Sequence, residues 1–466
     1  MSDALCSLSI SEAGLLLRQK NLSPVELTKA FLTRIDRLDS TLHAFIKVVP
    51  ERALADARNA ETEIFAGRYK GPLHGIPIGL KDVIETAGIH TTAHSRSRIH
   101  HIPTRDATVA ARLAEAGTIL LGKLATFELA LGGPSEDLPF PLARNPWGLD
   151  RYTGGSSTGA GVAVAAGLAM AAVGTDSGGS IRNPAAFCGV VGVKPTYGRV
   201  SRTGIIPLNN SFDHVGPLAW SVRDAALVLD AIAAPDPSDP HCALEPPPAC
   251  VAALDGERDL KGLRIGAVRH FHTRDTKASD EMTVAFDAAL GLMADLGAEI
   301  EPVELSPLDE WRTAFLVGLM AEMYNHFEGE LRARRHEYGR IFRERIIPAL
   351  CFDAADVTRA QELRRLLVAE LDRIFVRYDA LVCPIMLTAA PRVADIPVHS
   401  MYVGPYLAAP FNLSGHPAVA VRCGFGKEGL PLSLQIAGRR FAEPALLRLA
   451  DCYERASGCA NRRPPV

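Results

Sequence analysis

A chain of 466 residues, 47% hydrophobic and 22% charged, has the composition of an ordinary globular protein, which excludes disordered and collagen-like classes. Its formal net charge of −3 lacks the basic excess that sequence-independent binding to nucleic acid or an anionic membrane requires. Length alone allows about three domains, although a large α/β body can reach this size as one unit.

The N-terminal 70 residues read as helical. Ser9 with Glu12 and Ser23 with Glu26 each fit the S-x-x-E capping box, and Pro24 occupies the favoured first helical position. No basic stretch followed by a long apolar run opens the chain, so no signal peptide is expected. From Gly71 the texture changes to short apolar strands and Gly/Pro turns, "GPLHGIPIGLKDVIETAG". Then "DATVAARLAEAG" predicts a helix, "TILLGK" a strand, "STGAGVAVAAGLA" a helix and "MAAVGT" a strand, the alternation of an α/β sheet. The small-apolar run Gly159 to Gly174 is shorter than the roughly 20 residues of a membrane span and reads as a packed core helix entering a strand.

Pro and Gly concentrate at Ala234 to Gly262, the best linker candidate, so residues 71–233 form one unit and about 234–400 a second lobe or insertion. Within that lobe "LRIGAV" predicts a strand, an amphipathic helix starts near Asp280, and Leu363, Leu366, Leu367, Leu371, Ile374 and Phe375 form one helical stripe before the strand "DALVCP". Residues 401–466 return to the α/β texture, and one large body whose last strands rejoin the first sheet is favoured over two independent domains. Nine cysteines, odd in number and without CxxC spacing, point to reduced thiols in a cytoplasmic protein, with neither a disulfide framework nor a zinc site.

Two Gly-Ser knots carry the chemistry: "GGSSTG" (Gly154 to Gly159) and "GTDSGGSIR" (Gly174 to Arg182). Neither has the lysine of a phosphate loop, the G-x-G-x-x-G of a dinucleotide fold or the G-x-S-x-G of a nucleophile elbow. The plain alternative is that both are tight turns. Against it, a strand runs into the second knot, and two glycines before Ser180 free the backbone to converge N–H groups near that hydroxyl, as a developing oxyanion requires. A serine nucleophile needs a base. His94, His100, His101, His270, His272 and His416 fall in no pattern that fixes a Ser-His-Asp set or a metal site, and a solvated or hydrogen-bonded histidine is the better reading for each. Lysine is the other candidate, and Lys81 lies in the apolar segment "GIPIGLKD", where desolvation lowers an amine's pKa, although a snorkelling surface lysine is the plain alternative.

Together "GPLHGIPIGLKDVIETAGI", "RNPWGLDRYTGGSSTGAGVAVAAG", "VGTDSGGSIRNPAAFCGVVGVKPTYGRVSRTG", "PFNLSGHPA" and "GLPLSLQIAG" resemble the amidase signature family. The resemblance implies one amidase domain over residues 1–466, with a central mixed, twisted sheet covered by helices on both faces. It implies no cofactor. It also implies a Ser-Ser-Lys triad, Ser180 as nucleophile bridged by Ser156 to Lys81, and separations of 24 and 99 residues match the family's spacing and choose Ser156 over Ser157. The Gly155-Ser156 peptide is expected to be cis, and the N–H groups of Ser177, Gly178, Gly179 and Ser180 are expected to form the oxyanion hole. Asp176 and Arg182 are read as an ion pair anchoring the loop, and Ser157 either as a hydrogen-bonding group of the site or as a helix N-cap. Thr158 departs from the family's usual glycine, which puts local packing in question rather than mechanism.

The implied activity is hydrolysis of a small carboxamide to carboxylate plus ammonia or amine. Alternatives are an amidotransferase A-type subunit of a tRNA-dependent complex and a urea-type amide hydrolase. A small-molecule amide is the expected partner, with no nucleic acid or membrane and a homo-oligomer, a dimer, as the expected assembly. Phe127, Phe140, Tyr402 and Tyr406, in segments that vary within the family, hint at an aromatic or apolar acyl pocket. The arginine-rich run Arg332 to Arg345 reads as a solvated helix face rather than an acid-binding site.

Overall fold

Short apolar runs punctuated by Gly and Pro become strands, and in the computed structural model eleven of them form one sheet. The structure describes residues 2–131, 133–397 and 400–466. The strands are β1 (Phe45–Val48), β2 (Pro77–Lys81), β3 (Ile119–Leu124), β4 (Ala171–Asp176), β5 (Val191–Lys194), β6 (His214–Ala219), β7 (Arg264–Ala267), β8 (Glu299–Pro302), β9 (Ala380–Pro384), β10 (Ala418–Phe425) and β11 (Pro431–Gly438). Their order across the sheet is β1-β3-β2-β4-β6-β5-β10-β11-β9-β7-β8.

The sheet is mixed. β2 runs parallel to both β3 and β4, and β7 parallel to β8 and β9, while β4–β6, β6–β5, β5–β10 and β10–β11 are antiparallel. Every residue of β2, β3 and β4 is buried, the expected state of strands covered on both faces. Helices Thr158–Ala165 and Val222–Ile232 pack against the β2–β6 region, and Asp280–Asp295 and Glu443–Ser457 against β10 and β11. Buried apolar residues from Cys6 to Tyr453 form one contiguous cluster, with a small satellite of Ala186, Ile385 and Ala408. Strands β7, β8 and β9, from the stretch after the Pro-rich segment, extend the same sheet beyond β11, so the return of the C-terminal strands β10 and β11 is what joins its two halves.

Local signals have local outcomes. Ser9 and Glu12 form the reciprocal capping box. Ser23 accepts from Val25 and Glu26 N–H and its hydroxyl donates to Glu61, but the return bond from the Ser23 backbone N–H to the Glu26 carboxylate is not made, so that second box is incomplete. In the helix Ala354–Arg377, Leu367, Leu371 and Phe375 are buried as the stripe predicts, whereas Leu366 lies 69% exposed, off the face that packs. All nine cysteines are free thiols. No helix among the described residues is long and apolar enough to cross a membrane.

Candidate active site

Parallel pairing of β2 with β4 sets Lys81, the last residue of β2, beside the end of β4. Its ammonium end is fully buried, and Nζ donates to Ser156 Oγ at 2.7 Å and to Thr175 Oγ1 at 2.7 Å. Burial pushes this amine down to about 7, against the opposing pull of Asp213 and Asp176. A lysine with a pKa there is substantially neutral near pH 7 and able to accept a proton.

Ser156 follows a cis Gly155-Ser156 peptide bond. The two Gly-Ser knots are stitched together: Ser157 N–H donates to Ser180 O at 3.1 Å, and Ser157 Oγ donates to Thr175 O at 3.2 Å. Ser157 therefore stands at the N-cap position of the helix Thr158–Ala165 while its hydroxyl is spent on β4 and caps nothing. Thr158 is buried in the first turn of that helix.

β4 ends at Asp176, and the chain folds back around this carboxylate. Asp176 accepts N–H bonds from Gly179 at 2.6 Å, Ile181 at 3.2 Å and Arg182 at 3.4 Å, and pairs with Arg182 Nε at 3.0 Å. Gly179 takes φ +110°, where a side chain is strained, and a Cβ there would sit 2.6 Å from Asn183 Oδ1. This turn corrects one expectation: the Gly179 N–H is occupied by Asp176 and does not point at the cavity. Ser177, Gly178 and half-buried Ser180 do line the cavity, and Ser177 Oγ is held by Asp213.

Arg182 is fully buried and also donates to Gln435 at 2.8 Å and to Asn412, tying the loop to β11 and to the helix Ala409–Leu413. Burial raises the Asp176 carboxyl, but the Arg182 charge and hydrogen bonds overcome it and hold the group well below the usual carboxylate range. Its stabilising contribution is thus complete above the ordinary carboxyl pKa and is lost as pH falls through the depressed value. Arg182→Met, which leaves a buried carboxylate unpaired, is expected to cost about 3–5 kcal/mol of stability at neutral pH, measured by denaturant unfolding.

In front of Ser180 lies a cavity of about 200 Å³, small beside the 300–1,000 Å³ of pockets for drug-sized ligands. Phe127 and Tyr406 line it. Tyr402 does not: its hydroxyl donates to the Arg345 carbonyl, so it braces the wall from behind. Phe140 is also absent from the wall and offers its carbonyl to His94 instead. Gly132, within the segment 127–141, lies outside the described residues. Arg332, Arg334 and Arg335 are exposed as expected, but Arg345, at the end of the same run, is buried in the cavity wall. Among the described residues no histidine lines the cavity; His94, His270, His272 and His416 are buried elsewhere. Among the described residues no group of three or more His, Cys, Asp or Glu could hold a metal ion.

Thr175 and Arg345 are the site residues that sequence reasoning passed over. Thr175 adjoins Asp176 in the second knot, yet its bond to Lys81 depends on strand pairing. Arg345 carried a signal in the arginine run, but nothing there marks which arginine turns inward.

The profile of the Amidase family matches residues 26–447. The A-type subunit of glutamyl-tRNA(Gln) amidotransferase from Roseiflexus castenholzii is 40% identical, over 99% of this chain and 98% of that one. Among solved structures, a component of the vestigial protein complex that reveals the evolutionary origins of an s-triazine catabolic enzyme superposes with a TM-score of 0.90 at 30% identity, covering 96% of this chain and 98% of its own. Native peptide amidase from Stenotrophomonas maltophilia gives 0.83 at 32% identity, covering 99% and 98%.

Proposed function

Since the chain belongs to the amidase family, enzymes that act on amide C–N bonds, we propose that it hydrolyses a small primary amide to carboxylate and ammonia through an acyl-enzyme on Ser180. The observation that carries this reading is the buried lysine bonded to Ser156, with Ser156 and Ser180 facing one cavity.

The steps follow from those groups. Neutral Lys81 takes a proton relayed through Ser156 from Ser180, whose oxygen attacks the amide carbonyl. The N–H groups of Ser177, Gly178 and Ser180 hold the oxyanion, where losing one such donor costs about 2.7–4 kcal/mol in comparable sites. Lys81 and Ser156 return the proton to the leaving nitrogen, ammonia departs, and water repeats the attack on the acyl group. Thr175 holds the second hydrogen-bonding position of Lys81 and so keeps its lone pair directed toward the serines.

A second reading concerns where the ammonia goes. Full-length similarity to the A-type component of glutamyl-tRNA(Gln) amidotransferase favours a protein that passes ammonia to a partner over a self-contained hydrolase. A fluorophosphonate is expected to give one adduct, on the Ser180 peptide; labelling at another serine sinks the mechanism. Gel filtration of the pure chain and of the chain in cell extract separates the two settings, because a lone or self-associated species with full ammonia release excludes the obligate complex.

A further inference from the structure

The serine hydroxyls around the cavity are engaged: Ser156 Oγ receives Lys81, Ser177 Oγ binds Asp213 and Ser400 Oγ receives Arg345. Asn183 lines the same cavity, half-buried, and among the described residues nothing bonds its side-chain amide. It stands in the first turn of the helix Arg182–Cys188, where asparagine commonly serves as a cap, yet this helix start has no side-chain cap bond.

Two close approaches fix where the amide lies. A Cβ on Gly179 would meet Asn183 Oδ1 at 2.6 Å and Nδ2 at 2.8 Å, so the amide covers the residue just before the nucleophile. A Cβ on Gly154 would meet the Asn183 carbonyl carbon and oxygen at 2.8 Å, so its backbone abuts the first Gly-Ser knot, two residues before Ser156. Its own N–H donates to Gly179 O at 2.7 Å and holds it there. The amide thus stands between the turn that carries Ser180 and the turn that carries Ser156.

That is where the leaving group of an amide needs help. Once Ser180 Oγ has bonded to the carbonyl carbon, the nitrogen of the adduct bears two N–H groups and one lone pair. The lone pair must face Ser156 to collect the proton before the C–N bond breaks. An acceptor on one N–H stops rotation about C–N and fixes that direction, and its bond strengthens as the nitrogen becomes cationic. An ester oxygen carries two lone pairs and no hydrogen, so it needs no such guide.

We propose that Asn183 Oδ1 accepts an N–H of the scissile amide, turning the nitrogen lone pair toward Ser156 and so setting the preference of the site for amides over esters. This rests on the amide-hydrolysis reading and is independent of whether the chain works alone.

The test uses the pure full-length chain and pairs that share an acyl group: butyramide with methyl butyrate, benzamide with methyl benzoate, and glutamine with glutamate γ-methyl ester. On every pair that the wild type cleaves, Asn183→Leu is expected to lower kcat/KM for the amide by about 10–10²-fold. The matching ester, and the rate of fluorophosphonate labelling at Ser180, are expected to stay within about threefold, because neither offers an N–H to the missing oxygen. Asn183→Ala, which brings no bulk against Gly179, is expected to show the same split and decides if Asn183→Leu fails to fold. An amide rate that is unchanged overturns the proposal. So does a loss shared equally by amide, ester and fluorophosphonate, which makes Asn183 a support of Ser180 or of the oxyanion. Ammonia release that survives Ser180→Ala, or a wild-type chain that cleaves the esters and none of the amides, defeats the underlying reading instead.

Discussion

Ser180→Ala is expected to lower kcat by about 10⁴–10⁶-fold and to abolish fluorophosphonate labelling, because no other hydroxyl can take over the attack. The neighbouring candidates are committed: Ser156 Oγ receives Lys81, Ser177 Oγ binds Asp213, and Ser157 Oγ binds Thr175 O. Removing one half-buried oxygen leaves the loop intact, since the bonds that shape it run to Asp176 and not to the Ser180 side chain. Thermal unfolding within a degree or two of the parent, measured beside ammonia release, identifies the loss as chemical. Activity near the wild-type level in this variant refutes the acyl-enzyme.

Lys81→Met, close in volume and without the amine, is expected to lower kcat/KM by about 10³-fold or more, at the upper part of what general-base removal costs. The wild-type pH profile follows from the same amine. Lys81 acts as a base when neutral, and burial has brought its pKa down to about 7, so kcat/KM is expected to rise with pH through that value and level off above it. In Lys81→Met the inflection is lost, and an inflection near 7 that survives the substitution assigns it to another group. Stability moves the other way. A lysine whose folded pKa lies below its unfolded value of 10.5 penalises folding increasingly as pH falls from that value to about 7. At neutral pH Lys81→Met is therefore expected to melt higher than the parent while losing its activity.

What the sequence reveals of this site divides by range. The turn at Asp176 to Ser180 is legible because paired glycines after a buried strand have a local backbone consequence, and Ser180 follows from it. The same pattern overstates the glycines: both look equally free to donate, yet Asp176, three residues before Gly179, claims that N–H. Lys81 and Ser156 lie 75 residues apart and meet only because the loop before the helix Thr158–Ala165 is tied to the end of β4, which β2 pairs with, so family resemblance rather than spacing identifies them. Strand runs such as "MAAVGT" and "LRIGAV" are visible as short buried segments, but the order that seats β10 between β5 and β11 is set by long-range contacts. For the same reason Arg345 is inseparable in sequence from its solvated neighbours, and Leu366 from its buried ones.

The seam between β5 and β10 has a consequence for biosynthesis. β5 is complete at Lys194 and its antiparallel partner begins at Ala418, so one edge of the first six strands stays open while the ribosome adds the intervening chain. At about 5–20 residues per second that interval lasts roughly 10–45 s, during which the nascent edge is a template for wrong pairing. Arg182 waits equally long, because Asn412 and Gln435 arrive with the last tenth or so of the chain. The loop that carries Ser180 is thus locked at the close of translation, and unfinished chains carry it without the rest of the cavity around it.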